Sequence, residues 1–282
     1  RHQWEETRSD DLVRKLTIYS AEDCAALERV VDTVRALCEL KTNSKIKDEE
    51  VLTVKLNKPQ HTFFNLVHKF CAFVGGYGSG KTWVGCYKLA DHFTRFPGID
   101  AGYFGATYPQ IRDIFYPTVE EAFEYWGYQV KIKQGAHEVE VYDGPVYMGK
   151  IICRSMDNPA SIVGFKIGYA VVDEIDLLTP QKAMMAWRKI IARMRYKIEG
   201  LLNGVAVTTT PEGFGFVYEQ FVKQLRSEKD PLKKAELKRL YGIVHASTYD
   251  NEANLPDDYI DSMLATYPLQ LIDAYIDGKF VN

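Results

Sequence analysis

From about residue 51 onward, short apolar runs alternate with longer stretches of helical period. Phe70 to Val74, Ala101 to Ala106, Tyr169 to Asp173 and Gly204 to Thr209 are apolar along their length and end in turn or helix signals. That pattern predicts buried parallel strands joined by crossover helices. Trp83 to Phe93 continues the first run as a helix, and residues 214–226 and 231–240 read as two more, parted by Asp230-Pro231. Between the second and third runs the period changes to two. Val130 to Lys133, Glu138 to Tyr142 and Lys150 to Arg154 alternate, with turns at Gly135, Asp143-Gly144-Pro145 and Gly149. They predict a β-hairpin or small meander hung on the sheet. The fold class is therefore α/β, a parallel-core sheet flanked by helices with a β-hairpin insertion.

Residues 1–50 differ. Ser20-Ala21-Glu22-Asp23 is a capping-box-like start, followed by an apolar stripe of Leu27, Val30, Val31, Val34, Leu37 and Cys38. A polar stretch, Lys41 to Glu50, then reads as a linker. The expected division is an N-terminal helical appendage and linker (1–50), a core (51–245) and a terminal segment (246–282). With 46% hydrophobic residues the core can be sizeable, and a net charge of −3 supplies no global field to recruit nucleic acid. Any such contact needs a local basic patch. Five cysteines without a C-x-x-C pair read as reduced core residues. With no run of eighteen apolar residues and no signal sequence, the chain is expected neither to span a membrane nor to be secreted.

Candidate chemistry begins at Gly75-Gly76-Tyr77-Gly78-Ser79-Gly80-Lys81-Thr82, which fits G-x-x-x-x-G-K-[ST]. Glycines let the backbone aim N–H groups at phosphate oxygens, Lys81 reaches the β- and γ-phosphates, and the Thr82 hydroxyl ligates Mg²⁺. The apolar strand before and the helix after supply the required context, so the chain is expected to bind a nucleoside triphosphate. The run Tyr169 to Asp173 then ends in a second carboxylate, Glu174. Asp173 can hold Mg²⁺ through its water shell, and Glu174 can orient and deprotonate an attacking water. Thr208-Thr209-Thr210-Pro211 closes the last strand, placing hydroxyls at the crevice where open α/β sheets bind ligands. There they can sense the γ-phosphate.

Taken in order, these segments resemble the ATPase domain of the large terminase subunit, the DNA-packaging motor of tailed bacteriophages and herpesviruses. The resemblance runs from Pro59-Gln60 through the phosphate loop, Arg154-Ser155, Asn158-Pro159, Asp173-Glu174, Arg193 to Arg195 and the threonine run. It continues with Tyr249-Asp250-Asn251, Leu255-Pro256 and Tyr275 to Phe280. It implies a P-loop NTPase of the additional-strand, RecA-like class, with ATP hydrolysis driving double-stranded DNA into a procapsid. It implies that Gln60 contacts adenine and that Thr208 to Thr210 couple hydrolysis to movement. The implied partners are DNA, a portal protein and a small terminase subunit, with a ring when assembled and a monomer alone. The implied location is the cytoplasm of an infected bacterium, at the procapsid portal. Residues 246–282 resemble the lid after the ATPase core.

Two departures stand out. Val163 occupies the place where relatives commonly carry an arginine that reaches a neighbour's ATP site, leaving Lys166 and Arg154 as candidate trans cations. The sequence stops at Asn282 without an acid-rich nuclease pattern, so DNA cleavage is not expected of it. A helicase is the alternative enzyme, but it would carry a second RecA-like half; a nucleotide switch would not need Glu174. For DNA, the expected helix Pro180 to Ile198 sets Trp187, Ile190, Ile191, Met194 and Ile198 against Lys182, Lys189, Arg193 and Lys197. A grip from such a face falls on phosphates and is blind to sequence.

Overall fold

A computed structural model of the chain describes residues 54–281; the helix expected behind Ser20 lies outside them. α1 (Lys58–Phe64) starts with a reciprocal cap, in which the Asn57 side chain accepts the Gln60 N–H and the Gln60 side chain accepts the Asn57 N–H. β1 (Phe70–Gly75), α2 (Lys81–Arg95) and β2 (Ala101–Gly105) follow, and a π-helical stretch, Ile111–Phe115, feeds α3 (Tyr116–Glu124). Next come β3 (Gln129–Lys133), β4 (Glu138–Asp143), β5 (Val146–Ser155), β6 (Tyr169–Asp173), α4 (Pro180–Ile191) and β7 (Gly204–Thr209). α5 (Pro231–Leu240), β8 (Tyr241–Ala246), α6 (Tyr259–Thr266) and α7 (Leu269–Tyr275) complete the order.

The strands form one sheet in the order β3-β4-β5-β2-β6-β7-β1-β8. From β5 to β8 every neighbouring pair is parallel, and β3 and β4 are antiparallel. β1, β2 and β7 are buried at every position because helices cover both faces. Alternation sorts their side chains. Phe73, Tyr103 and Val171 face a layer with Leu89 and Phe93 of α2 and Phe123 of α3. Val74, Phe104 and Val172 face Ala186, Trp187 and Ile190 of α4. Each fully buried side chain of this size contributes about 1.5–3 kcal/mol of apolar burial. β7 lies between β1 and β6, as the additional strand that the resemblance implied.

Three elements differ from expectation. The antiparallel meander of β3, β4 and β5 is present at the sheet's edge, but it joins more closely than expected: β5 pairs in parallel with β2 from Ala101↔Ile151 to Gly105↔Ser155 and so extends the sheet. Ile151, Ile152 and Cys153 are all buried, which requires cover on both faces. The helix expected over 180–198 ends at Ile191. Met194 instead bridges Ile167, and the Ile167 N–H donates to the Arg193 carbonyl at 3.1 Å, so Arg193, Lys197 and Ile198 leave α4 and the basic stripe is cut. β8 was not anticipated, because Gly242 and His245 dilute its pattern; β1 recruits it as a parallel neighbour. Cys71, Cys86 and Cys153 are buried and unpaired, as expected. Among the described residues no helix is long and apolar enough to cross a membrane.

Candidate nucleotide-binding site

β1, β6 and β7 all deliver their carboxyl ends to one edge of the sheet, and the β1–α2 loop crosses it. Gly78 and Gly80 take left-handed backbone (φ 71° and 75°), which only glycine adopts without strain. The Ser79 hydroxyl donates to the Gly76 carbonyl at 2.7 Å and closes the turn. The N–H groups of Gly76 and Tyr77 are already used: they donate to the carbonyls of Ala246 (3.2 Å) and Tyr275 (2.7 Å). Those of Gly78, Gly80, Lys81 and Thr82 have no carbonyl partner among the described residues, and the last two open α2. A helix N-terminus with free N–H groups is an anion site.

Lys81 and Thr82 each meet one of the two carboxylates at the end of β6. The Lys81 ammonium lies 3.2 Å from Glu174 Oε1. The Thr82 hydroxyl donates to Asp173 Oδ2 at 3.1 Å. Asp173, only 3% exposed, also accepts the Tyr103 hydroxyl at 2.7 Å on Oδ2 and the Thr208 hydroxyl at 2.6 Å on Oδ1. Burial, and then the adjacent Glu174 carboxylate, push the Asp173 carboxyl upward; the hydroxyl donors pull it back. Glu174 itself stands in left-handed backbone (φ 54°), a strain of about 1–3 kcal/mol in a non-glycine residue. Its carboxylate is held there by the Thr210 N–H (2.9 Å) and hydroxyl (3.2 Å). The Thr209 hydroxyl divides one proton between Glu174 (3.4 Å) and the Thr210 carbonyl (3.2 Å). The threonine run thus grips both acids.

The Asp173 and Thr82 oxygens fit a magnesium ion. They are hard donors side by side, and among the described residues Asp173 makes no ion pair, the nearby Lys81 being paired with Glu174. Among the described residues no group of three acids, histidines or cysteines encloses an ion. A cation here would need phosphate and water oxygens to complete its shell, which is the habit of Mg²⁺.

Beyond Gly80 opens a cleft of about 380 Å³ lined by Lys55, Gln60, Trp83, Glu121, Tyr125 and Asn254. Gln60 is 6% exposed, and its amide N–H donates to the Gly80 carbonyl at 3.3 Å. With one bond made by each end, the amide keeps one donor and one acceptor. That pair matches the N6/N7 edge of adenine. The Trp83 indole stacks on Tyr87 and donates to Glu121 at 3.1 Å.

The contacts from the terminal segment were missed by sequence reasoning. Asn251 donates to the Gly78 carbonyl and the Thr248 hydroxyl to the Tyr77 carbonyl, each at 2.7 Å. A Cβ on Gly76 would stand 2.4 Å from the Ile276 carbonyl oxygen, so the loop and this segment touch backbone to backbone. Tyr249-Asp250-Asn251 stood out in the sequence, but nothing there showed what it would touch. Of the candidate trans cations, Arg154 donates to the Cys153 carbonyl (2.7 Å) and lies over Phe165, and Lys166 lies 3.9 Å from the Tyr196 ring centre. Neither is brought to the two acids. On α4, Lys182 pairs with Asp157, and Arg188 and Lys189 border a shallow groove with Met184 and Met185.

Asp176, just beyond the two acids, ties this turn to the segment after β7. Its Oδ1 accepts the Val217 N–H at 2.9 Å, and its Oδ2 is buried with no partner among the described residues. Burial pushes its carboxyl up to about 7. A raised acid binds more protons folded than unfolded between about pH 4 and about pH 7, so its contribution to stability falls across that window as pH rises. Asp176→Asn is expected to remove this loss. The melting temperature of the variant relative to the wild type should rise between pH 4 and pH 8; a constant difference would show that Asp176 does not titrate there.

A glycine-rich loop between β1 and α2, facing an acid pair on a strand one removed, defines a P-loop NTPase-like fold. Residues 72–282 match the family described as terminase large subunit, T4likevirus-type, N-terminal, and the chain belongs to that family. Among solved structures it is similar to the large terminase ATPase domain of Thermus phage P74-26, at 18% identity and a TM-score of 0.58, covering 82% of this chain and 96% of that one. It is also similar to the large terminase of the thermophilic bacteriophage D6E in complex with ADP, at 15% identity and a TM-score of 0.63, covering 80% of this chain. The D6E protein with ATP-gamma-S matches at 16% identity and a TM-score of 0.62, over 80% of this chain and 53% of that one. The chain spans about half the length of the D6E large terminase, 54% of it being covered. No curated protein matches the chain.

Proposed function

We propose that this chain hydrolyses ATP to drive double-stranded DNA into a procapsid, as the ATPase part of a large terminase subunit. The observation that carries the reading is the set Lys81, Thr82, Asp173 and Glu174, assembled at one sheet edge in a chain of the terminase family. The nucleotide complexes of the D6E protein are in keeping with it. The N–H groups from Gly78 to Thr82 would cradle the phosphates, and Gln60 would take the adenine edge. Thr82 and Asp173 would hold Mg²⁺, which neutralises charge on the β- and γ-phosphate oxygens when bound. Lys81 neutralises Glu174 while no phosphate is present. A γ-phosphate would draw Lys81 away and leave the Glu174 carboxylate free to take a proton from the attacking water. Thr209 and Thr210, bonded to Glu174, would pass the change to the segment after β7.

The reading extends to partners. A ring on a portal protein would present Arg188 and Lys189 of α4 repeatedly around a DNA channel, so weak phosphate contacts act together. A small terminase subunit would bring the DNA, in the cytoplasm of the infected cell. Because Lys81 is the cation that reaches Glu174 among the described residues, full turnover would need a trans cation from a neighbour. Lys166 is exposed and is one candidate, and Arg154 the other. DNA cleavage is not assigned to these residues.

The test is phosphate release by the purified chain across a range of protein concentrations, alone and with procapsids and DNA. Slow release that accelerates on assembly is the expected result. No release in either state would favour a nucleotide switch, and fast release by a demonstrated monomer would remove the trans cation from the account.

A further inference from the structure

Asp173 is held by hydroxyls from both of its neighbouring strands. β2 contributes Tyr103 to Oδ2 at 2.7 Å, and β7 contributes Thr208 to Oδ1 at 2.6 Å. The last torsion of an aspartate is soft, so the plane of the carboxylate is set by what its two oxygens accept. Thr82 shares Oδ2 with Tyr103, but Thr82 stands on the phosphate loop and is itself a metal-ligand candidate. Tyr103 has no such second task. It is 1% exposed, and its ring stacks on Phe115 with centroids 3.6 Å apart and planes 15° from parallel. Phe115 closes the π-helical stretch that leads into α3, so the phenol is fixed from outside the nucleotide site. Burial, and then the Asp173 charge, push the Tyr103 phenol well above its ordinary range, which keeps it a donor.

We propose that Tyr103 is a positioning residue that orients the Asp173 carboxylate toward the magnesium ion accompanying ATP. The inference rests on the reading of Asp173 as the metal carboxylate. Loss of the phenol hydroxyl frees the carboxylate plane and leaves a buried charge with fewer donors. The cost falls on the metal-bound state, in which Asp173 must present an oxygen outward. ATP binding without metal uses the loop N–H groups and Lys81 and has no call on that oxygen.

Tyr103→Phe in the full chain tests this, because it keeps the stack on Phe115 and removes one oxygen. Binding of a fluorescent ATP analogue is titrated in EDTA and then against rising Mg²⁺, with Mn²⁺ as a second probe. The expected result is unchanged affinity in EDTA and about a tenfold rise in the Mg²⁺ concentration at half-effect, the size of one lost hydrogen bond to a charged group. An unchanged Mg²⁺ dependence would overturn the proposal. So would an equal loss of affinity with and without metal, which marks a purely structural role. Asp173→Asn in the same titration separates the two layers. If it shifts the Mg²⁺ dependence and Tyr103→Phe does not, the positioning role alone fails; if it shifts nothing, the metal assignment fails and Tyr103 with it.

Discussion

Glu174→Gln is expected to lower ATP turnover about 10³-fold while leaving ATP bound, the loss typical of removing a general base. The substitution keeps the side chain's length and its amide oxygen can still accept the Thr210 N–H, which holds Glu174 at 2.9 Å in the wild type. The local strain at φ 54° therefore stays offset. What disappears is a group able to take a proton, together with the partner of Lys81. Release of that pair should cost ATP binding nothing, since on the proposed reading a γ-phosphate would replace Glu174 as the lysine's counter-charge. Phosphate release and retention of labelled ATP, measured together, check this. Turnover near the wild-type rate would falsify the assignment of the base.

Lys81→Ala is expected to fail earlier, at binding. The side chain is buried, with Glu174 as its ionic partner. Its removal leaves that carboxylate beside the place where phosphate charge must sit, so repulsion adds to the lost attraction. Affinity for ATP should fall about 10–100-fold, as expected for a lost hydrogen bond between charged groups, and turnover should fall with it. Equilibrium binding in EDTA is the cleaner measurement, because it isolates the lysine from the metal. Affinity within twofold of wild type would mean that the loop N–H groups carry the phosphates alone.

The parts of this fold that were legible are those whose environment leaves one solution. β1, β6 and β7 are apolar along their length because both faces are covered, and such runs read as strands without their neighbours being known. The glycine-rich loop between β1 and α2 was legible because it is contiguous, as was the placement of Asp173 and Glu174 at the end of such a run. What failed was decided by partners distant in sequence. The apolar period of α4 continues past Ile191 on paper, yet Met194 leaves the helix to bridge Ile167. β8 needs β1 beside it before Gly242 and His245 can be read as strand. Tyr103 reads as an ordinary core aromatic, because the acid it serves lies 70 residues on, and Asn251 meets Gly78 across 173. A residue that acts across such a distance leaves no spacing to recognise.

In the phosphate-loop pattern the position held by Gly76 is free, so the small molecule alone would let many residues stand there. The carbonyls of Ile276 and Tyr275, 2.4 and 2.7 Å from where its Cβ would be, close that freedom. The variety of residues tolerated along this loop would therefore be set by two occupants, one the proposed ligand and the other the chain's own later peptide. Intolerance at Lys81 would report the first, and intolerance at Gly76 reports the second. The vocabulary of the motif understates how narrow this stretch of sequence space is, because a rule written around phosphate takes no account of what the protein has laid over it.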